Sequence, residues 1–295
     1  MSDSDSGGPT VSVIVAALNA AASLPRCIDS VSNQDGVTTE LIVIDGGSQD
    51  RTAQILQGST GSVDYWESEP DRGVYHAWNK ALRRATGTWV CFLGADDRLA
   101  EPTTLKSLVE AGEREEAGLV CSRVRYEAFE KSGDLVIGQP WSWSKMVSFM
   151  CVAHPGLLHR RTLFEQLGEF SEEYRIAGDY EFLLRLGEKV SAAFVDEVSV
   201  NVGGAGLSSD TPGTLREVRL IQSRHPEIGP VKAAFNYGKC VGERVLWSVL
   251  ERLPVKIPHH PVFRTAGGLL GLHRHDYEVP AGPRAGPANR DGEGA

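Results

Sequence analysis

Two aspartates stand side by side at Asp96-Asp97, directly after the uncharged run Gly87-Thr88-Trp89-Val90-Cys91-Phe92-Leu93-Gly94-Ala95. Adjacent carboxylates repel, and they persist at one spot when a divalent metal, a ribose diol or an arginine comes between or beside them. An aspartate-rich turn is the chemically empty alternative. Three further carboxylates have settings that mark them out. Asp45 ends the apolar run Glu40-Leu41-Ile42-Val43-Ile44 and precedes Gly46-Gly47, so it either holds its own turn or faces a ligand. Asp71 is followed by Arg72, whose fixed fork of donors suits a phosphate or a base, unless the two form a solvated loop pair. Asp179 follows Ile176-Ala177-Gly178 and opens an amphipathic pattern of Phe182, Leu183 and Leu186. A carboxylate at such a helix start caps the helix, takes a proton from an incoming group, or does both.

Elements must bring these residues together. Val11–Ala17 reads as an apolar, β-branched strand closed by Leu18-Asn19, and a helix follows from Ser23 with Pro25 in its first turn. Glu40–Asp45 is a second buried strand, and Gly46–Asp50 a tight loop into a helix around Thr52–Leu56. Tyr65–Glu69 reads as a third strand, Pro70–Gly73 as a loop, Val74–Ala85 as a helix. The strand leading to Asp96-Asp97 comes fourth. Strand and helix alternating in this way indicate a parallel open sheet, whose ligands collect beyond the carboxyl ends of the strands.

Composition narrows the partners. A formal net charge of -9 over 295 residues argues against nucleic acid, which needs clustered Lys and Arg. Cys27, Cys91, Cys121, Cys151 and Cys240 are odd in number, far apart and without a CxxC, so neither a disulfide framework nor a zinc site is expected, and a reducing compartment fits. Met1–Pro9 lacks a basic start and an apolar stretch, so no signal peptide is expected, and no run approaches the length of a bilayer crossing. Gly46-Gly47 lacks the GxGxxG order of a dinucleotide site, and no GxxxxGK[ST] loop is present.

In order along the chain, Val11–Asn19, Glu40–Thr52, Ser68–Ala81 and Ala95-Asp96-Asp97 resemble the motifs of the family 2 glycosyltransferases. The form Glu69-x-Asp71-x-Gly73-x-Tyr75 resembles the branch that builds bacterial exopolysaccharides and colanic-acid-like polymers. The resemblance continues through His154-Pro155-Gly156 and Gly178–Phe182 and fades after about Ser209. It implies an α/β GT-A fold, a mostly parallel central sheet flanked by helices, with a mainly helical C-terminal extension. The expected organisation is a disordered 1–9, a catalytic domain over 10–210 divided into a donor part (10–98) and an acceptor part (99–210), a helical extension over 211–279, and a Gly/Pro-rich disordered tail over 280–295.

The resemblance further implies an inverting transfer of sugar from a UDP-, GDP- or dTDP-sugar to a glycan or lipid-linked acceptor, in the cytoplasm or at the inner face of the membrane. Asp179 becomes the general base and Asp97 the ligand of Mn2+ or Mg2+, which take one or two protein carboxylates and complete their shell with substrate oxygens. Ala16, Asn19, Asp45, Gly46, Asp71, Arg72, Asn79 and Asp96 fall on the donor side, with Asp96 facing the ribose and Asn79 an internal hydrogen-bonding residue beside it. His154, either structural or acceptor-binding, and Trp141, either core or sugar-binding with Trp143, fall on the acceptor side. His259-His260 and His273-Arg274-His275 are weak metal signals. The chain departs from the family at Ala16-Ala17-Leu18, where polar and aromatic residues are usual, at Gly46, where an acidic residue usually reads the base, and at Gly178. The helix over Val231–Leu253 either packs on the catalytic domain or rests on a membrane surface. Rival readings are a non-catalytic nucleotide-sugar-binding module, a nucleotide-sugar hydrolase and a nucleotidyltransferase.

Overall fold

The computed structural model describes residues 8–127, 135–204 and 211–250. In chain order the first half runs β1 (Val11–Ala17), α1 (Leu24–Ser32), β2 (Thr39–Asp45), α2 (Thr52–Gly58), β3 (Tyr65–Ser68), α3 (Val74–Leu82) and β4 (Trp89–Gly94). There follow β5 (Arg98–Leu99), α4 (Thr104–Arg114), β6 (Leu119–Tyr126), β7 (Leu135–Ile137), α5 (Trp143–Met146), β8 (Leu158–Arg160), α6 (Arg161–Leu167), α7 (Gly178–Leu186), β9 (Ala192–Val202), α8 (Thr211–Arg224) and α9 (Gly229–Leu250). The elements expected in the first half are found with their ends moved by a few residues.

One sheet runs in the order β3-β2-β1-β4-β8-β6-β9-β5, with β7 on β6. The pairs β1·β2, β1·β4 and β2·β3 are parallel. Alternate residues explain why these strands are buried on both faces. Val13, Val15, Leu41, Val43, Cys91 and Leu93 join the cluster under α1 and α4, whereas Ile14, Ile42, Ile44, Val90 and Phe92 join the one under α3 and α7. Beyond β4 the parallel pattern gives way. The pairs β4·β8, β6·β8, β5·β9 and β6·β7 are antiparallel, and β6·β9 alone there is parallel. A parallel neighbour needs a helical crossover, which the first half has after each strand. The two- and three-residue strands of the second half are too short to announce themselves by periodicity.

Helices α8 and α9 pack on this second half. Gln222 Nε2 donates to the Ser148 carbonyl (2.8 Å) and to the Tyr180 hydroxyl (2.9 Å), and Asn236 Nδ2 donates to the Val147 carbonyl at 3.2 Å. The region read as an extension therefore packs, over 211–250, on the half of the fold that follows β4. No helix among the described residues is long and apolar enough to cross a membrane. Residues 251–279 of the extension, the tail 280–295 and both His-containing motifs lie outside the described residues.

Candidate active site

Strand β1 has β2 on one side and β4 on the other, so the chain reverses its order across the β1·β4 seam, where Ala16 faces Gly94 in the register. Ligand crevices of open sheets form at such a switch point. A cleft of about 920 Å³ opens there. It brings together Ala16, Asn19, Asp71, Asp96, Asp97, His154 and Asp179, which are scattered over more than half of the sequence. Asn19 holds a left-handed backbone (φ 51°), and its Oδ1 accepts the Gln49 N–H at 2.9 Å.

Asp97 is 4% exposed. Its Oδ2 accepts the Gly94 N–H at 2.8 Å, and the Gly203 N–H beyond β9 also reaches the carboxylate. Burial nonetheless pushes its carboxyl up to about 7, with the charge of Asp96 adding to the rise. Asp96 is exposed beside it. A carboxylate so placed lacks a counter-charge: the cleft is lined by four carboxylates, Asp71, Asp96, Asp97 and Asp179, against one guanidinium among the described residues, Arg175. That donor set fits a divalent cation. No cluster of three or more potential protein ligands exists among the described residues.

Asp179 lies in the first turn of α7 and does not cap it; the cap position belongs to Ala177, which has no side-chain acceptor to offer. The carboxylate points to the cleft, with Oδ1 accepting the Tyr180 N–H at 2.8 Å and lying 3.2 Å from the Tyr75 hydroxyl. That hydroxyl also donates to the Ile176 carbonyl at 2.7 Å. Burial pushes the Asp179 carboxyl up to about 6, and the bonds from Tyr180 and Tyr75 oppose the rise. A group of this kind is ionised at neutral pH yet basic enough to accept a proton. The Tyr75 ring lies against Gly178, where an added Cβ would sit 2.8 Å from Cε2.

The wall between the two carboxylate sites is aromatic. His154 stacks with Trp78 (5.2 Å, 21°) and Phe92 (5.6 Å, 29°). Burial pulls its imidazole down to about 3, so it is neutral. Tyr126 also lines the cleft, and burial with the charges of Asp97 and Asp179 pushes its phenol up to about 12. Tyr75, Tyr126, Arg175 and, from α8, Thr214 and Val218 were not singled out as site residues from the sequence. For Tyr75 the signal was present inside the third motif; the others sit in segments with no motif.

Five residues expected at the site are placed elsewhere. Asp45 is fully buried, and its carboxylate is engaged by the Ser48 N–H (3.1 Å) and by the hydroxyls of Ser48 and Ser68. It holds the β2 turn. Gly46 stays off the cleft because the Asp71 carboxylate fills the space its side chain would take; an added Cβ would lie 2.5 Å from Asp71 Oδ2. Arg72 turns out to solvent and pairs with Glu172 at 2.6 Å. Asn79, 2% exposed, joins α3 to the Phe170 backbone through both its amide groups, at 2.9 and 3.0 Å. Trp141 packs against the core cluster of Met146, Leu183 and Ile221 instead of lining the cleft.

A switch-point cleft that gathers the paired carboxylates Asp96 and Asp97 with Asp179 is the candidate active site. Residues 12–153 match the model of "Glycosyl transferase family 2". A PGL/p-HBAD biosynthesis glycosyltransferase of Mycobacterium bovis is 35% identical over 181 residues, which are 60% of this chain and 69% of that protein. The structure of S. aureus TarS 1-349 in complex with UDP-GlcNAc superposes with a TM-score of 0.59 at 18% identity, covering 81% of this chain and 73% of that one. The mannosyltransferase PcManGT from Pyrobaculum calidifontis, in complex with GDP-Man and Mn2+, superposes with a TM-score of 0.58 at 18% identity, covering 84% and 78%. The chain belongs to glycosyl transferase family 2, has the GT-A fold, and is a glycosyltransferase.

Proposed function

We propose that the chain transfers a sugar, with inversion, from a nucleotide-diphosphate donor to a hydroxyl of a glycan or lipid-linked acceptor. The observation that carries this reading is that Asp97 and Asp179, 82 positions apart, line one cleft, whose volume suits a nucleotide-sugar. Asp96 accepts the ribose hydroxyls, and Asp71, in the space left by Gly46, faces the base. A Mn2+ or Mg2+ ion held by Asp97 would supply the counter-charge for the leaving diphosphate. Asp179 takes the proton of the acceptor hydroxyl as its oxygen bonds to the anomeric carbon. The bond from that carbon to the phosphate oxygen breaks with its electrons left on the diphosphate. Tyr75 keeps Asp179 aimed, and the aromatic wall of His154, Trp78 and Phe92 keeps water from the anomeric carbon.

The relatives' complexes differ in base, one holding UDP-GlcNAc and the other GDP-Man, which supports testing UDP, GDP and dTDP donors alike. The motif Glu69-x-Asp71-x-Gly73-x-Tyr75 supports placing the chain in polysaccharide assembly. Val231 and Phe235, one helical turn apart on α9 and largely exposed, support contact with the inner face of a membrane carrying a lipid-linked acceptor. The deciding measurement is nucleotide release from a donor panel with Mn2+, with and without glycan acceptors. Release that requires an acceptor is expected; release to water at the same rate would make the protein a hydrolase and end the proposal.

A further inference from the structure

We infer that the acceptor of this enzyme carries an anionic group, a phosphate or a carboxylate, and that Arg175 receives it. The inference rests on the transferase reading above, since it assigns Arg175 to the acceptor side of that site.

Arg175 is the one Lys or Arg among the described residues that line the cleft. It is exposed, and its guanidinium makes no hydrogen bond or ion pair with any described residue. The acidic side chains around it are committed elsewhere. Glu172 holds Arg72 (2.6 Å) and Glu173 holds Arg224 (2.5 Å). Glu217, from α8, is spent on three main-chain donors: Oε1 accepts the Arg175 N–H at 3.0 Å, and Oε2 accepts those of Ile176 and Ala177 at 2.8 and 2.9 Å. A carboxylate that could have neutralised the guanidinium instead fixes the backbone beneath it. The result is a rigidly mounted, unpaired arginine at a cleft lip, an arrangement suited to bidentate recognition of a planar or tetrahedral anion.

The donor's own phosphates belong with Asp96 and Asp97, where the cleft is short of positive charge and fits a divalent ion. Arg175 lies four residues before Asp179, and Glu217 of α8 holds its main-chain N–H. An acceptor whose hydroxyl meets Asp179 would pass this residue. In a chain with net charge -9 and a cleft lined by four carboxylates, an anionic acceptor is repelled by its surroundings, so a single local cation decides whether it is admitted.

The test is calorimetric, on the full chain with Mn2+. UDP, GDP and dTDP are titrated first, and the protein is then saturated with the one that binds and titrated with glucose, glucose 6-phosphate and glucuronic acid. One charged sugar should bind at least tenfold tighter than glucose. The phosphate arm and the carboxylate arm tell the two anions apart. Arg175→Gln should remove that preference while changing nucleoside diphosphate affinity less than twofold, and Arg175→Lys should restore part of it. The melting temperature should not move, because the main chain of residue 175, not its guanidinium, is what Glu217 holds. Equal binding of all three sugars would overturn the inference, as would a preference that survives Arg175→Gln. An equal loss of nucleoside diphosphate binding would reassign Arg175 to the donor and also overturn it. If no nucleoside diphosphate binds, the transferase reading fails on its own account, and the three sugars titrated into the protein with Mn2+ alone judge the arginine by the same outcomes.

Discussion

Replacing Asp97 by Asn should make the metal-free protein more stable at alkaline pH while abolishing its response to Mn2+. The carboxyl ionises near 3.8 in an ordinary setting and near 7 in the fold, so the folded state holds its proton longer than the unfolded state does. Stability from this group is complete below about pH 4, falls as pH rises towards 7, and stays low above it. The gap of about 3 pKa units corresponds to about 4 kcal/mol of buried-charge cost at pH 8. Asn removes that cost but weakens the acceptor offered to the Gly94 and Gly203 N–H groups, a loss of about 1 kcal/mol, which leaves a net gain of about 3 kcal/mol. For a chain of this size that is a rise in Tm of roughly 6–12 °C. The assay is thermal unfolding of both proteins in EDTA at pH 5 and pH 8. The Asn variant should lead at pH 8, and much of its lead should vanish at pH 5, where the wild-type carboxyl is protonated. Subtracting one protein from the other cancels the titration of Asp179. Added Mn2+ should raise the wild-type Tm at pH 8 by binding the folded state alone, and leave the variant unmoved. An equal difference at both pH values, or equal responses to Mn2+, would refute the argument that Asp97 carries an uncompensated charge.

Asp179→Asn should lower transfer by a factor of about 10²–10⁴, the usual worth of a positioned base, with nucleoside diphosphate affinity retained. In the wild-type protein kcat/KM should fall as pH drops through about 6, where Asp179 takes up its proton; a profile flat down to pH 5 would exclude it as base. Tyr75→Phe removes one of the bonds that hold the Asp179 carboxyl down. That bond is shared with the Ile176 carbonyl, so the low end of a charge-assisted bond, about 1.5 kcal/mol, should move the acidic limb up by about one pH unit, and an unmoved limb would rule out the contact. Gly46→Asp should drive two carboxylates together beside Asp71 and destabilise the loop, whereas the paired exchange Gly46→Asp with Asp71→Gly should recover most of the loss. Thermal unfolding of these two variants and of Asp71→Gly alone measures this coupling, and additive effects would show that the two positions are independent.

What the sequence disclosed depended on how local each signal was. The first half was legible because a β-branched strand followed by a helix repeats, and because Asp96-Asp97 follows an uncharged strand. The second half was less so: β5, β7 and β8 have two or three residues each, too few to show a period of two. Side-chain roles failed where the partner came from afar. Arg72 turns from the cleft because Glu172 lies beside it in space, and Trp141 packs inward because α7 and α8 close over it. Arg175 carries no motif at all; its availability follows from what Glu172, Glu173 and Glu217 bind instead.

Gly46 and Gly178 share one physical setting. At 46 the missing side chain's volume is taken by the Asp71 carboxylate, and at 178 by the Tyr75 ring, with an added Cβ arriving at 2.5 and 2.8 Å respectively. Both intruding side chains belong to the loop between β3 and α3 and the helix start that follows it. The acidic group that fills the space beside Gly46 thus comes from a neighbouring loop, and the side chain that supports Asp179 comes from about a hundred positions earlier. Because Asp71 and Tyr75 are only four residues apart, the donor wall and the base are held by one short segment. A displacement of that segment would disturb nucleotide binding and proton transfer together, which is why single substitutions at 71 and 75 should not be read as reporting on separate halves of the site.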